Sequence, residues 1–250
     1  MPARTLIPTV RDGAGSRPNI LFRDNLVAAW RMDAVTGAAR TDPVNGLDLT
    51  SNGAGGGVSR VAGLVGYGAG FARASSQYLS RARASAGLLL PGSGSFSVAL
   101  AVYFETVSGE MNIYGQYAVT GNQRGYLLTK TNTGNILQIV VSPDGTATTT
   151  VSLGAVAAGQ WYWVYWGWDA TSQRLFGRVN QAAAVETAFA GPIFASATQD
   201  FKMGVRDTNS AALDGRIDCA FHFSGILGED DQEMLYNNGL GRQGADLVQY

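Results

Sequence analysis

Three carboxylates at alternate positions, Glu229, Asp231 and Glu233, and a single histidine, His222, are the residues best typed for bond-making chemistry in this 250-residue chain. On a strand the three acids would share one face and line a cleft, one as nucleophile and another as proton donor in retaining glycoside hydrolysis. On a helix Asp231 turns away from the other two by more than about 120°. The flanks decide between these: a turn precedes the acids, and M-L-Y-N-N-G follows them. Three acids in a first turn complement the helix dipole, and Gly239 suits a left-handed cap, so residues 229–237 are expected to be helical and the carboxylates scattered. No G-x-S-x-G elbow, Walker loop or H-E-x-x-H occurs. Strand alternation groups His222 with Asp218 and Ala220, opposite Ile217, Cys219, Phe221 and Phe223. His222 then reads as a sheet-surface residue without a nucleophile to activate, and Cys219 as a small core hydrophobe. No catalytic residue is assigned, and the chain is expected to be non-enzymatic.

Binding chemistry is better represented. Residues 160–169 read Q-W-Y-W-V-Y-W-G-W-D and hold four of the five tryptophans. Aromatic and β-branched residues fit a pleated, half-buried surface, so this run is a strand. Trp161, Trp163, Tyr165 and Gly167 point one way; Tyr162, Val164, Trp166 and Trp168 point the other. A strand this aromatic on both faces calls for a second layer over it, a bound ligand or a partner chain.

Composition narrows the partners. A net charge of -1, 15% charged residues and only two lysines, Lys130 and Lys202, argue against nucleic acid binding. No apolar run reaches the ~20 residues needed to cross a bilayer, so membrane insertion is not expected. One cysteine excludes an intrachain disulfide framework. The N-terminal residues M-P-A-R-T-L-I-P-T-V-R-D-G lack the apolar core of a secretory signal, which predicts synthesis in the cytoplasm.

Short strands punctuated by turns fill the chain from Leu26 onward, with 33 glycines suiting tight turns and bulges. Strands are expected at 26–32, 96–104, 113–117, 125–131, 136–141, 146–153, 174–179, 201–205 and 216–223, with Ser142-Pro143-Asp144-Gly145 as a hairpin turn. Strands at this spacing without intervening helical pattern imply a sandwich or a barrel. Residues 1–24 are different: prolines, arginines and a D-G-A-G-S run surround small apolar clusters, notably Ile20, Leu21 and Phe22. Two readings stand, a disordered leader or an extended arm that inserts those clusters into a partner. The expected division is an arm at 1–24, a β domain at 25–241 and a tail at 242–250.

Three places together resemble the laminin-G-like, concanavalin A-like jelly roll. They are W-Y-W-V-Y-W-G-W-D followed by R-L-F-G-R-V-N-Q, then D-G-R-I-D-C-A-F-H-F at 214–223, and I-L-G-E-D-D-Q-E-M-L-Y-N-N-G at 226–239. Gln181 replaces the glycine usual after V-N. The resemblance implies an all-β, antiparallel two-sheet jelly-roll sandwich with one short C-terminal helix. It places Val164, Trp166 and Trp168 between the sheets and Trp163 and Tyr165 on the outer face. With Tyr103, these two would form a platform on which sugar C–H faces stack, unless a loop or neighbouring subunit of a homo-oligomer covers them. E-x-D-x-E is the catalytic signature of a glucanase family with this fold, which keeps glycoside hydrolase as a third reading. Laminin-G-like domains often hold calcium, for which Asp33, Asp42 and Asn45 supply oxygen ligands, although those types also dominate ordinary turns. The expected role is an adhesive component of a phage-like particle, a spike, decoration or tail-associated protein on the virion surface. It would bind cell-surface polysaccharide through the jelly roll and other virion proteins through the arm. The alternative is a free, extracellular lectin-like module.

Overall fold

The computed structural model describes residues 10–12, 15–17, 25–207 and 211–242. Strands β1 (Val10–Asp12) and β2 (Gly15–Arg17) pair antiparallel, so the segment expected to be extended carries a short hairpin. Ile20, Leu21 and Phe22 lie outside the described residues, as do residues 243–250.

The chain then forms β3 (Leu26–Trp30), β4 (Thr50–Asn52), β5 (Ser59–Ala62), β6 (Tyr67–Phe71) and β7 (Tyr78–Arg81). Long central strands follow: β8 (Phe96–Phe104), β9 (Met111–Ala118), β10 (Gln123–Lys130), β11 (Ile136–Gly145), β12 (Thr149–Ala155) and β13 (Trp161–Asp169). The last are β14 (Arg174–Val179), β15 (Val185–Ala188), β16 (Phe201–Met203) and β17 (Gly215–Phe223), before α1 (Glu229–Tyr236), the one α-helix among the described residues. They build two antiparallel sheets. One has seven strands in the order β12-β11-β10-β9-β16-β7-β4. The other has eight, β15-β14-β13-β8-β17-β6-β5 with β3 beside β17. This is the jelly-roll sandwich that the resemblance implies.

Alternation in β8 and β13 makes the layer between the sheets. Phe96, Val98, Leu100, Val102 and Phe104 point inward, opposite Val164, Trp166 and Trp168 of the neighbouring strand. Trp166 is fully buried, with Phe96, Tyr126 and Tyr114 ring centroids at 5.3, 6.0 and 6.2 Å. The outer set of β13 starts a second apolar cluster on the far face of the same sheet, where Trp163, Tyr165, Phe221 and Phe223 meet Leu227 and Leu235 of the C-terminal segment. Gly167 belongs to that outer set for a steric reason: a side chain there would strike the Phe96 carbonyl.

Three expectations need correction. His222 is not on a sheet surface. Pairing between β17 and β8 slips between Asp218 and Phe221, where Cys219 takes a left-handed φ of 50°. One extra residue in a strand reverses the faces of everything after it. Ile217, Ala220 and His222 therefore all enter the inter-sheet core, while Cys219, Phe221 and Phe223 lie on the outer face. Second, S-P-D-G is not the hairpin tip: β11 runs through it to Gly145, which pairs with Arg124. The Asp144 carboxylate instead receives the N–H groups of Thr146 and Ala147, both at 2.8 Å, to turn the chain beyond it. Third, α1 ends at Asn237 (φ 48°) rather than at Gly239.

Candidate functional site

The acidic triplet sits on α1, so Glu229, Asp231 and Glu233 share no strand face. Glu233 faces Arg178 at 3.6 Å, an ion pair between the helix and the sheet beneath it. His222 offers no base either: its Nδ1 lies 2.6 Å from the Tyr114 hydroxyl, and it is sealed between the sheets.

The calcium candidates do not fit a cation. Asp42 is buried, and its carboxylate accepts backbone N–H groups from Ala29, Val44, Asn45 and Leu47 at 3.0–3.1 Å. Four donors occupy both oxygens, so this side chain organises the turn after β3 instead of presenting lone pairs to a metal. Asn45 donates to the Val27 carbonyl at 2.8 Å, and Asp33 faces Arg31 at 3.5 Å. Among the described residues no three His, Cys, Asp or Glu side chains cluster as metal ligands.

Trp163 and Tyr165 point outward, as the strand parity and the resemblance require, but they are 3% and 1% exposed. The C-terminal segment covers them. Leu227 donates its N–H to the Tyr165 hydroxyl at 2.8 Å, and burial pushes that hydroxyl's pKa up to about 12. The physical reason is area: two large rings beside Phe221 and Phe223 make an apolar face too large to leave wet, and Leu227, Leu235 and Tyr236 pack over it with Leu64 and Val65. Neither ring is available as a stacking platform in this state.

The cover stops one row short. At the start of β13, Trp161 pairs across the sheet with Tyr103, which pairs in turn with Arg216 on β17. All three side chains lie on the same outer face and are half-buried. The Tyr103 and Trp161 rings are 5.5 Å apart and tilted by 55°. The Arg216 guanidinium lies 4.7 Å from the Tyr103 centroid, covering one face of that ring. Its Nε and Nη2 donate to Glu105 Oε1 at 2.7 and 2.6 Å, and Nη1 donates to the Ala62 carbonyl at 3.1 Å. The pairing fixes a charged side chain that would otherwise sample many rotamers, and so holds the rim in one shape. This rim offers partly exposed aromatic surface beside a rigid donor–acceptor pair, which is the chemistry of stacking on, and hydrogen-bonding to, a polyhydroxylated ligand.

Of the residues expected to form the platform, only Tyr103 belongs to this rim. Trp161 shares its face by parity and stands at the strand's start, beyond the two rings that lie in one cluster with Leu227 and Leu235. Arg216 and Glu105 carry no sequence signal; only the pairing of β17 with β8 brings them together.

A partly open aromatic row is not itself a function, but the two-sheet architecture that carries it is that of the lectin-like folds. The chain belongs to the concanavalin A-like lectin/glucanases superfamily, whose sequence profile matches residues 74–231. No curated protein matches the chain. Solved structures share the fold at low identity. The receptor-binding domain of botulinum neurotoxin mosaic serotype C/D superposes with a TM-score of 0.64 at 12% identity, covering 87% of this chain and 51% of that one. The binding domain of Paraclostridial Mosquitocidal Protein 1 gives 0.64 at 12% identity, covering 88% and 53%. CBM40 of the Ruminococcus gnavus IT-sialidase, bound to alpha2,3 sialyllactose, gives 0.50 at 14% identity, covering 59% and 84%. The chain thus spans about half the length of the toxin domains it resembles.

Proposed function

We propose that this chain is a non-enzymatic carbohydrate-binding module that holds polysaccharide at the Tyr103–Trp161–Arg216 rim. One observation carries the reading: on a face otherwise covered by the C-terminal segment, this row keeps two aromatic rings partly open beside an anchored Arg216–Glu105 pair. The Ruminococcus gnavus CBM40 of the same fold was solved with a bound sugar, which supports the ligand class. Truncating Trp161 to alanine should cost on the order of 1 kcal/mol of binding, about a tenfold drop at a weak site. Isothermal titration against a panel of polysaccharides checks this, and the recovered glycan should be uncleaved. Wild-type affinity in a normally folded Trp161→Ala, Tyr103→Ala variant would remove the rim from consideration.

We propose further that the module, residues 25–241, serves as an adhesive part of a phage-like particle, a spike, decoration or tail-associated component on the virion surface. In this reading residues 1–24 are the attachment to other virion proteins, and 242–250 are a tail. The apolar cluster Ile20-Leu21-Phe22 within a polar segment supports a docking role. Deleting residues 1–24 should leave a folded jelly roll with unchanged melting temperature that no longer incorporates into its assembly. Incorporation at the wild-type level would end the particle reading and leave that of a free lectin-like module.

A further inference from the structure

We infer that the rim selects uncharged, hydroxyl-rich sugars and rejects glycans that carry carboxylates. This rests on the proposed binding role of the same rim and concerns the charge of what it accepts. An anionic sugar is ordinarily recognised by a guanidinium with free donors, best in a bidentate fork. The side-on fork of Arg216 is already closed on Glu105. Its Nε and Nη2 are both engaged by Glu105, its Nη1 by the Ala62 carbonyl, and one of its faces lies against Tyr103.

The surrounding charge is also of the wrong sign for an anion. Among the described residues no hydrogen bond reaches the second oxygen of Glu105, whose side chain is 43% exposed. Asp214, two residues before Arg216, accepts the Thr106 hydroxyl beside Glu105 at 3.1 Å. Asp218 stands on the next row of the same face, its carboxylate held by the N–H groups of Val65 and Cys219 at 2.9 and 2.8 Å. The guanidinium is thus already paired with one carboxylate, and two more stand at positions either side of it along the chain. An arriving carboxylate meets the like charge of Glu105 and a side-on fork already closed, whereas a sugar hydroxyl can donate to Glu105 while its C–H face rests on Trp161. The sialyllactose bound to the Ruminococcus gnavus CBM40 is a carboxylate sugar, so within the shared class of sugar ligands the two would differ in the charge they accept.

The test uses the full chain with two sets of probes, neutral hexose oligosaccharides and oligosaccharides of sialic or uronic acid, titrated at low and high salt. Neutral probes should bind, and carboxylated probes of equal length should bind at least about fivefold more weakly at low ionic strength, with the gap closing as salt rises. Glu105→Gln should narrow the gap. Asp214→Asn, which leaves the Arg216–Glu105 pair in place, should narrow it as well and guards against a shift of Arg216 in the first variant. A carboxylated probe that binds as tightly as the neutral ones, and loses that binding in Trp161→Ala, overturns the inference while leaving the rim as the site. Binding of either class that is indifferent to Trp161→Ala and Tyr103→Ala overturns the site itself, and the inference with it.

Discussion

Trp166→Ala should destabilise the protein by about 3–5 kcal/mol, the cost of emptying a large aromatic site in a close-packed core. Trp166 is fully buried between the sheets and makes edge contacts with Phe96 and Tyr114. Because Val98 and Gly177 flank it across the sheet, the backbone on both sides is held by ladder hydrogen bonds and cannot collapse into the vacated space. A loss of this size is a large share of a domain's usual stability of about 5–15 kcal/mol, so the variant should melt far below the wild type. Trp161→Ala, on the same strand but at the open rim, should shift the melt little. The contrast between two alanine substitutions five residues apart is the check, read by chemical denaturation. Equal losses would mean that the rim is packed as tightly as the core.

Acidification should reveal two buried groups acting in opposite directions. The neutral His222 shares a hydrogen bond between Nδ1 and the Tyr114 hydroxyl, and burial lowers its pKa from 6.5 to about 3. Between those values the unfolded chain binds the proton and the folded one does not, so stability falls as pH drops below 6.5, by roughly 3 kcal/mol at pH 4. Asp218 behaves conversely: burial raises its pKa from 3.8 to about 6, against the pull of its backbone donors. In that interval the folded state holds the extra proton, so stability rises as pH falls from 6 to 3.8, by at most about 3 kcal/mol. As far as these two groups go, the wild type should change little between pH 6 and 4. His222→Phe should gain stability relative to the wild type on acidification, and Asp218→Asn should lose it. Denaturant titrations at pH 7, 5.5 and 4 measure this, and parallel pH curves for all three proteins would contradict it.

The sequence carries the β architecture and the inward set of β13 because both rest on side-chain period, which a strand imposes directly. The helix at Glu229 is legible for the same kind of reason: three acids suit the positive end of the helix dipole. Period alone does not carry the bulge at Cys219. An alternating run looks unbroken whether or not one residue is looped out, and so His222 was placed on the wrong face. Nor does it say where an outward aromatic ring meets cover. Trp161, Trp163 and Tyr165 are equivalent by parity, and what separates them is the cover of Leu227 and Leu235, whose docking is a tertiary event. Arg216 and Glu105 are 111 residues apart and become neighbours through sheet order alone. The buried oxygens of Asp42 show the same limit, since a turn-forming aspartate and a metal-binding one have the same letter.

The rim as the sugar site is tested most directly by the five indole N–H resonances of a ¹⁵N-labelled sample titrated with a bound polysaccharide fragment. Trp30, Trp163, Trp166 and Trp168 are each at most 4% exposed, whereas Trp161 is half-buried at the open end of its strand. The account predicts that the Trp161 signal alone moves on saturation, and that the other four stay in place. A shift centred on Trp163, or binding that leaves the Trp161 signal unmoved, would contradict it.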